Sequence, residues 1–299
     1  MTKNILVLGC SGEIGSRLTK IFLAAGNKVY GIRGIRSCKI RNIDHLCSQA
    51  NLLDSNLDLN LNSIRPEILI HTAWVTKPGV FWDSPLNHEW VNASKKIVEE
   101  FKFTGGKYVV VTSSCAEYSW QGEELLSESS KSNPTSEYGR AKNELLKWLE
   151  TQPLSYLWAR IFFQFGLQET YGRLIPSLID DILAGNKYLI RSGHDVRDFV
   201  YIEDVAKVMG ILISKQTQGI VNIGSGEGIT VEKVARIIAK LMAREDLLEF
   251  QIGTEAKSTV VSDSRKLINI IGDYSWTNLE KSLNESINSR KELLHLGRP

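Results

Sequence analysis

Cysteine is scarce in this chain: Cys10, Cys38, Cys47 and Cys115 are the four in 299 residues. They form neither a CxxC pair nor a ligand spacing with histidine. The thiols therefore read as reduced, in a cytosol, and no metal site is expected. Net charge is nearly absent as well. Lysine and arginine number 36 against 34 aspartates and glutamates, a formal balance of +2 that points to neither a nucleic-acid nor a membrane partner. No apolar run approaches the roughly 20 residues that span a bilayer. No signal peptide is visible, because Met1-Thr-Lys-Asn4 leads straight into an apolar run. Internal repeats and low-complexity segments are also lacking. What remains is ordinary for a soluble globular protein, 42% apolar and 23% charged. The length suits one large domain or two smaller ones, in the cytoplasm.

The most informative stretch is the first. Ile5 to Leu8 is an unbroken apolar run, as in a buried parallel strand. Gly9, Gly12 and Gly15 follow at spacing GxxGxxG, and Ile14, Leu18, Ile21 and Phe22 then recur at helical spacing. Strand, glycine turn and helix in that order make a dinucleotide-binding beginning. Glycines let the backbone approach a pyrophosphate, and the helix N-terminus offers free N–H groups and a positive dipole end.

Further apolar runs predict strands at Val29–Ile32, around Leu46–Ala50, and at Ile68–Ala73, Tyr108–Thr112 and Leu154–Ile161. Helices are expected from about His88 to Phe103 and from Ser136 to Leu149. The alternation implies an α/β fold, a Rossmann-type doubly wound parallel sheet. After Gly166 the pattern loosens. Helices are expected at Leu174–Leu183, Asp204–Leu212 and Val231–Met242, with short strands at Lys187–Ile190 and from Val221. The expected division is a dinucleotide-binding domain over 1–166, to which 195–224 return, and a smaller C-terminal α/β lobe from 167–194 and 225–299.

Tyr138 and Lys142 stand one helical turn apart on one face. A free tyrosine has a pKa of about 10, and a nearby ammonium favours its phenolate. Such a pair can move a proton while hydride moves to or from a cofactor. Ser113-Ser114 lies at the carboxyl end of a central strand, where ligands of open α/β sheets bind. Trp74, Trp82, Trp90 and Trp120 cluster in sequence around two strand ends. Core and rim packing is their expected role, with stacking on a base or sugar as the alternative.

With these motifs the chain resembles the extended short-chain dehydrogenase/reductase family of nucleotide-sugar epimerases, dehydratases and reductases. The resemblance also rests on His71-Thr-Ala73, Asn92, Ser113 to Tyr118, Arg160 to Gly166, Arg197 to Asp204 and Asn222 to Gly226. It implies Tyr138 as acid/base, Lys142 as its electrostatic partner and ribose ligand, and Ser114 as donor to the substrate oxygen, with Ser113 as a spare. It places the cofactor on Gly9, Ser11, Gly12, Glu13, Ile14 and Gly15. Asn51 and Leu52, then Thr72, Ala73 and Trp74, then Asn92 and Thr112 complete its contacts. Substrate contacts fall on Ser114, Phe163, Arg197 and, as a second pyrophosphate arginine, Arg265.

Where the family often has an acid after the second strand, this chain has Arg33, with Arg36 close behind. Arginine suits a 2′-phosphate, so NADP(H) is expected, with NAD as the alternative. After Ser114 come Cys115 and Ala116, and the first carboxylate is Glu117. If the backbone is extended there, alternation sends Glu117 away from Ser114, which weakens a dehydratase reading. The expected function is reduction of a keto group, at C4 of a nucleotide-diphosphate deoxysugar. The alternatives are a 4-epimerase that retains its cofactor, a dehydratase, a reductase of a non-nucleotide carbonyl compound or a non-catalytic NADP sensor. The resemblance further implies a homodimer through the helices near 88–103 and 137–150, with Ile97, Val98, Leu145, Leu146 and Trp148 as candidate contacts.

Overall fold

The computed structural model describes residues 2–35, 46–120, 125–167, 169–251 and 258–295. Arg36 and Cys38 lie outside them. The first half alternates strands and helices: β1 (Asn4–Leu8), α1 (Glu13–Ala24), β2 (Lys28–Arg33), β3 (Cys47–Gln49), α2 (Leu61–Ile64), β4 (Ile68–His71), α3 (Leu86–Phe103), β5 (Tyr108–Ser114), α4 (Glu137–Leu149) and β6 (Ser155–Ile161). The second half has shorter strands: β7 (Phe163–Phe165), α5 (Leu174–Leu183), β8 (Tyr188–Ile190), β9 (Val196–Arg197), β10 (Phe199–Tyr201), α6 (Ile202–Ser214), β11 (Gly219–Ile223), β12 (Ile229–Thr230), α7 (Val231–Leu241), β13 (Leu248–Phe250), β14 (Thr259–Val260), α8 (Arg265–Ile271) and α9 (Leu279–His295).

Seven strands pair in parallel in the order β11-β6-β5-β4-β1-β2-β3. Their apolar runs are continuous because both faces are covered. Ile5 and Val7 join one core cluster, and Leu6 and Leu8 join the other. Helices α1 and α6 pack together, as do α3 and α4. The order reverses beside β1, which puts the ends of β1 and β4 at the crevice where α/β sheets bind ligands. β11 returns to this sheet late in the chain, whereas β9 pairs with β12 and β14 in a separate small sheet.

The main elements lie where the sequence predicts them, with differences at the ends. β4 stops at His71, leaving Thr72 and Ala73 in the following loop, and β5 runs on to Ser114. No element was predicted after Met242, yet α8 and α9 are there. α9 is polar along most of its length yet well anchored: Ser282, Leu283, Ser286 and Ile287 are buried, Tyr201 OH donates to Glu285, and Arg290 Nε donates to Asp180, both at 2.8 Å. No helix among the described residues is long and apolar enough to cross a membrane.

Four of the five residues offered as dimer contacts are buried inside the chain. Ile97, Val98, Leu145 and Leu146 pack in the core under α3 and α4, and Trp148 packs partly buried against it. Their apolar stripes face the sheet, as an amphipathic helix on a sheet requires. The four buried residues are unavailable to a partner.

Beneath the end of β5, residues Cys115–Glu117 form one 3₁₀ turn rather than an extended segment. Glu117 is fully buried. It accepts from Ser113 Oγ, from Trp158 Nε1 at 2.8 Å and from Arg160 Nε at 3.0 Å. Arg160 also lies over the Tyr118 ring at 4.5 Å. Removing one member of such a pair leaves the other charge buried and alone. Glu117→Ala is therefore expected to lower unfolding free energy in urea by about 3–5 kcal/mol. Glu117→Leu combined with Arg160→Met should recover most of that. A loss under about 1 kcal/mol in the single variant would show the pair to be dispensable.

Candidate active site

β1 runs into a turn that glycine makes possible. Gly9 has φ 79°, and the N–H groups of Gly9 and Cys10 both donate to the Ile32 carbonyl, at 2.8 and 3.1 Å. A Cβ on Gly15 would overlap the Gly9 carbonyl, and one on Gly9 would lie 2.8 Å from the Ala73 nitrogen. Turn, helix and the loop after β4 thus approach more closely than side chains allow. No side chain caps α1. Its first N–H groups belong to Glu13, Ile14 and Gly15, which line the cavity together with Gly9, Ser11 and Gly12. This cradle fits a pyrophosphate on geometric and electrostatic grounds.

The cavity measures about 1320 Å³. Of the residues named as site candidates, Asn51, Leu52, Thr72, Ala73, Trp74, Thr112, Ser114, Tyr138, Lys142 and Phe163 line it. The Ser136 hydroxyl caps α4 by accepting from Gly139 N at 3.1 Å, which sets Tyr138 in the first turn and Lys142 one turn on. The Tyr138 N–H donates to the Trp82 carbonyl at 2.9 Å, fastening the Trp82 loop to the same turn. Lys142 is buried. Its Nζ donates to the Thr112 carbonyl at 3.0 Å, sits 3.6 Å from the centre of the Trp74 ring and is 5.9 Å from that of Tyr138.

Burial lowers the Lys142 pKa to about 7, with the Glu117 carboxylate opposing the shift. Burial also pushes the Tyr138 phenol up, and the Glu117 charge adds to it. Arg173 and a hydrogen bond with Ser114 oppose that rise without cancelling it. The sequence led us to expect Lys142 to favour the phenolate. In the folded chain Lys142 is not among the groups that shift Tyr138; burial and the Glu117 charge raise its pKa, and Tyr138 rests protonated. His71 is fully buried. Burial, and then the Lys142 charge, lower it to about 3, so it is neutral. Its Nε2 lies 2.8 Å from Ser94 Oγ, which in turn donates to the Trp90 carbonyl.

Trp74, Trp82, Trp90 and Trp120 all line the cavity. Trp74 stacks on Trp90 with centroids 5.8 Å apart, and its Nε1 donates to Asn87 at 2.9 Å. Trp82 meets Trp120 edge-on at 6.3 Å and Tyr138 at 6.0 Å. Phe81 stands 5.1 Å from Tyr138, and Phe163 lies 5.9 Å from Trp120. The rings around Tyr138 form one apolar wall. Ser113 is not a spare hydroxyl for this space, because its Oγ is turned to Glu117.

Several predicted residues are not brought to the cavity. Arg33 is buried, with its guanidinium against the Gln49 side-chain amide on β3, whose oxygen accepts from it at 2.7 Å when the amide is turned to face it, and Gly34 and Ile35 line the cavity instead. Asn92 is exposed on α3, while Trp90, two residues earlier, faces the cavity. Arg197 lies 5.5 Å from the Trp120 ring and 5.3 Å from that of Phe163, outside the cavity wall those rings form. It is tied to Asp195 at 2.6 Å. Arg265 grips Asp263 and lines a separate surface hollow.

The sequence missed Arg173 and Glu169. Among the described residues Arg173 and Lys142 are the cations that line the cavity. Arg173 immediately precedes α5, 3.7 Å from Glu169, whose pKa burial raises to about 7. Gln164 was missed too. Its Oε1 is a buried acceptor with no donor among the described residues. No spacing marks Glu169 and Arg173, which lie between the Arg160 to Gly166 and Arg197 to Asp204 segments in a stretch without clear periodicity, and Gln164 was read only as part of the first segment.

Comparison with known proteins follows the same outline. Residues 5–224 match the family described as "NAD dependent epimerase/dehydratase family". The chain is 24% identical to GDP-6-deoxy-D-talose 4-dehydrogenase of Aggregatibacter actinomycetemcomitans, over 96% of this chain and 97% of that protein. It is 24% identical to UDP-glucuronic acid decarboxylase 1 of Xenopus tropicalis, over 98% of this chain and 73% of that one. The solved UDP-N-acetylglucosamine 4-epimerase of Methanobrevibacter ruminantium M1 superposes with a TM-score of 0.84 at 26% identity, covering 97% of this chain and 99% of that one.

The buried lysine gives this site a pH signature. Unfolded, Lys142 keeps its proton up to about 10.5; folded, it gives it up near 7. Between those values the unfolded chain binds more protons, so this residue makes stability rise with pH. Lys142→Met should therefore be more stable than the parent at pH 7. The advantage should shrink by up to about 1.4 kcal/mol per pH unit toward pH 10. A pH-independent difference between the two in chemical denaturation would contradict the depressed pKa.

Proposed function

The chain belongs to the NAD dependent epimerase/dehydratase family, and from that premise we propose that it reduces the C4 keto group of a nucleoside-diphosphate deoxysugar. One observation carries the reading: Ser114 and a protonated Tyr138 converge on an apolar-walled cavity, with Lys142 one turn along the same helix. A reduction begins with an acid in place, and the protonated phenol supplies one. Ser114 and Tyr138 donate to the carbonyl oxygen, and Tyr138 then gives up its proton. Lys142 stabilises the phenolate that remains. The nicotinamide supplies the hydride when reduced, and its oxidised ring carries a positive charge.

The surrounding residues support this direction. Glu117 is committed to Arg160, Trp158 and Ser113, so among the described residues no free carboxylate stands beside Ser114 to expel a hydroxyl as water. Phe81, Trp82, Trp120 and Phe163 favour a sugar with a methyl group rather than further hydroxyls, held in one pose. An epimerase needs its keto intermediate to turn over within the site, which such a wall hinders. Arg173 is the proposed partner of the substrate's diphosphate, in place of Arg197 and Arg265. The relative named GDP-6-deoxy-D-talose 4-dehydrogenase, matched over nearly the whole of both chains, accords with redox chemistry at that carbon.

The proposed cofactor is a nicotinamide adenine dinucleotide. Arg33, from which the NADP(H) preference came, faces Gln49, so that preference requires it to leave Gln49. Competitive titration with NADH and NADPH ranks the two. Tyr138→Phe should retain dinucleotide affinity and lose at least about 100-fold in kcat. The assay follows nicotinamide absorbance with a panel of nucleoside-diphosphate 4-keto-6-deoxyhexoses. Stoichiometric cofactor oxidation supports the proposal. Interconversion of nucleotide sugars with no net cofactor change, or near-parental turnover in Tyr138→Phe, refutes it.

A further inference from the structure

Cys10 sits inside the glycine turn after β1, and Cys47 sits on β3, two strands from β1. Their sulfurs face each other at 2.7 Å. A disulfide bond is about 2.05 Å long, so the pair is within about 0.7 Å of bonding distance. The space between them is kept open by Gly31, whose missing Cβ would lie 2.7 Å from one sulfur and 2.8 Å from the other. β2 carries Gly31 opposite Cys47 in register. The turn is held to the same strand by the paired N–H bonds to Ile32. Turn, β2 and β3 thus fix both cysteines by backbone contacts.

We propose that Cys10 and Cys47 are a thiol-oxidation site, which closes to a disulfide and staples the dinucleotide turn to β3. The oxidant is a small-molecule disulfide of the glutathione class. Cys47 is half-buried and Cys10 fully buried, so Cys47 reacts first. Its thiolate attacks one sulfur of the small disulfide, forming a mixed disulfide and expelling one thiolate. The Cys10 thiolate then attacks Cys47 Sγ, forming the Cys10–Cys47 bond and expelling the second. The two cysteine sulfurs lose two electrons in all, the small disulfide gains them, and the two cysteine protons leave with the two released thiols. Burial holds Cys10 as a thiol, which makes the second step the slower one. The assignment is independent of the reaction proposed for the cavity.

The test uses the full chain treated with oxidised glutathione, quenched with an alkylating agent and mapped by mass spectrometry. The expected product is a peptide pair linked through Cys10 and Cys47, released by dithiothreitol. The linked form should melt roughly 5–10 °C higher than the reduced form, as closing a loop of this length implies. Cys10→Ser and Cys47→Ser should each abolish both the linkage and the shift, whereas Cys38→Ser should keep them. Stable glutathione on Cys47 without closure, a linkage through Cys38, or two freely alkylated thiols after oxidation would overturn the proposal.

Discussion

One buried carboxylate holds the strand ends on which the candidate site is built. Glu117 joins β5 through Ser113, β6 through Trp158 and Arg160, and the 3₁₀ turn that carries it. The same charge acts at a distance on both titrating groups of the cavity. It adds to the rise of the Tyr138 pKa and opposes the fall of that of Lys142. Desolvation alone would leave the lysine neutral more readily. A carboxylate behind the wall keeps part of its ammonium character without exposing a second acid to substrate. A residue that first reads as a displaced dehydratase acid is therefore better understood as support for the proton donor.

Arginine was the residue type most often misplaced. Arg33, Arg197 and Arg265 were each assigned to a phosphate, and each is engaged within the chain. Two of the three carry a visible warning. Asp195 stands two residues before Arg197 and Asp263 two before Arg265, a spacing that in extended or turning backbone lets the side chains meet. Arg173 has an acid four residues before it, Glu169, but at 3.7 Å their contact is loose, and its side chain remains partly exposed at the cavity. Electrostatic complementarity is satisfied locally first, and only the remainder is available for a ligand.

Much of the fold was legible because its signals are local. A parallel strand covered on both faces reads as an apolar run, and glycine at three fixed positions marks a turn that a Cβ would block. The cavity residues Ser114, Tyr138 and Lys142 were legible for the same reason, as each lies at a strand end or on one helical face. α9 was not, because a polar sequence secures it: beside Leu283 and Ile287, the buried Ser282 and Ser286 and the bonds of Glu285, Ser289 and Arg290 to other elements hold it. Asp198 was quoted only as part of a motif. In the structure it is a hub, accepting from Ser225 Oγ and Ser262 Oγ, both at 2.6 Å. Asp204 likewise anchors Tyr274 and Thr277, at 2.9 and 2.8 Å. Such contacts join segments far apart in sequence, and no spacing announces them.

In the proposed reaction a protonated Tyr138 and a reduced nicotinamide deliver the two hydrogens of one C4 alcohol. Cofactor carrying deuterium at nicotinamide C4, on the transferred face, tests it directly with a nucleoside-diphosphate 4-keto-6-deoxyhexose. One deuterium per product molecule is expected, bonded to sugar C4, with a single configuration at that carbon. Product without deuterium at C4, or deuterium divided between two C4 epimers, would contradict it.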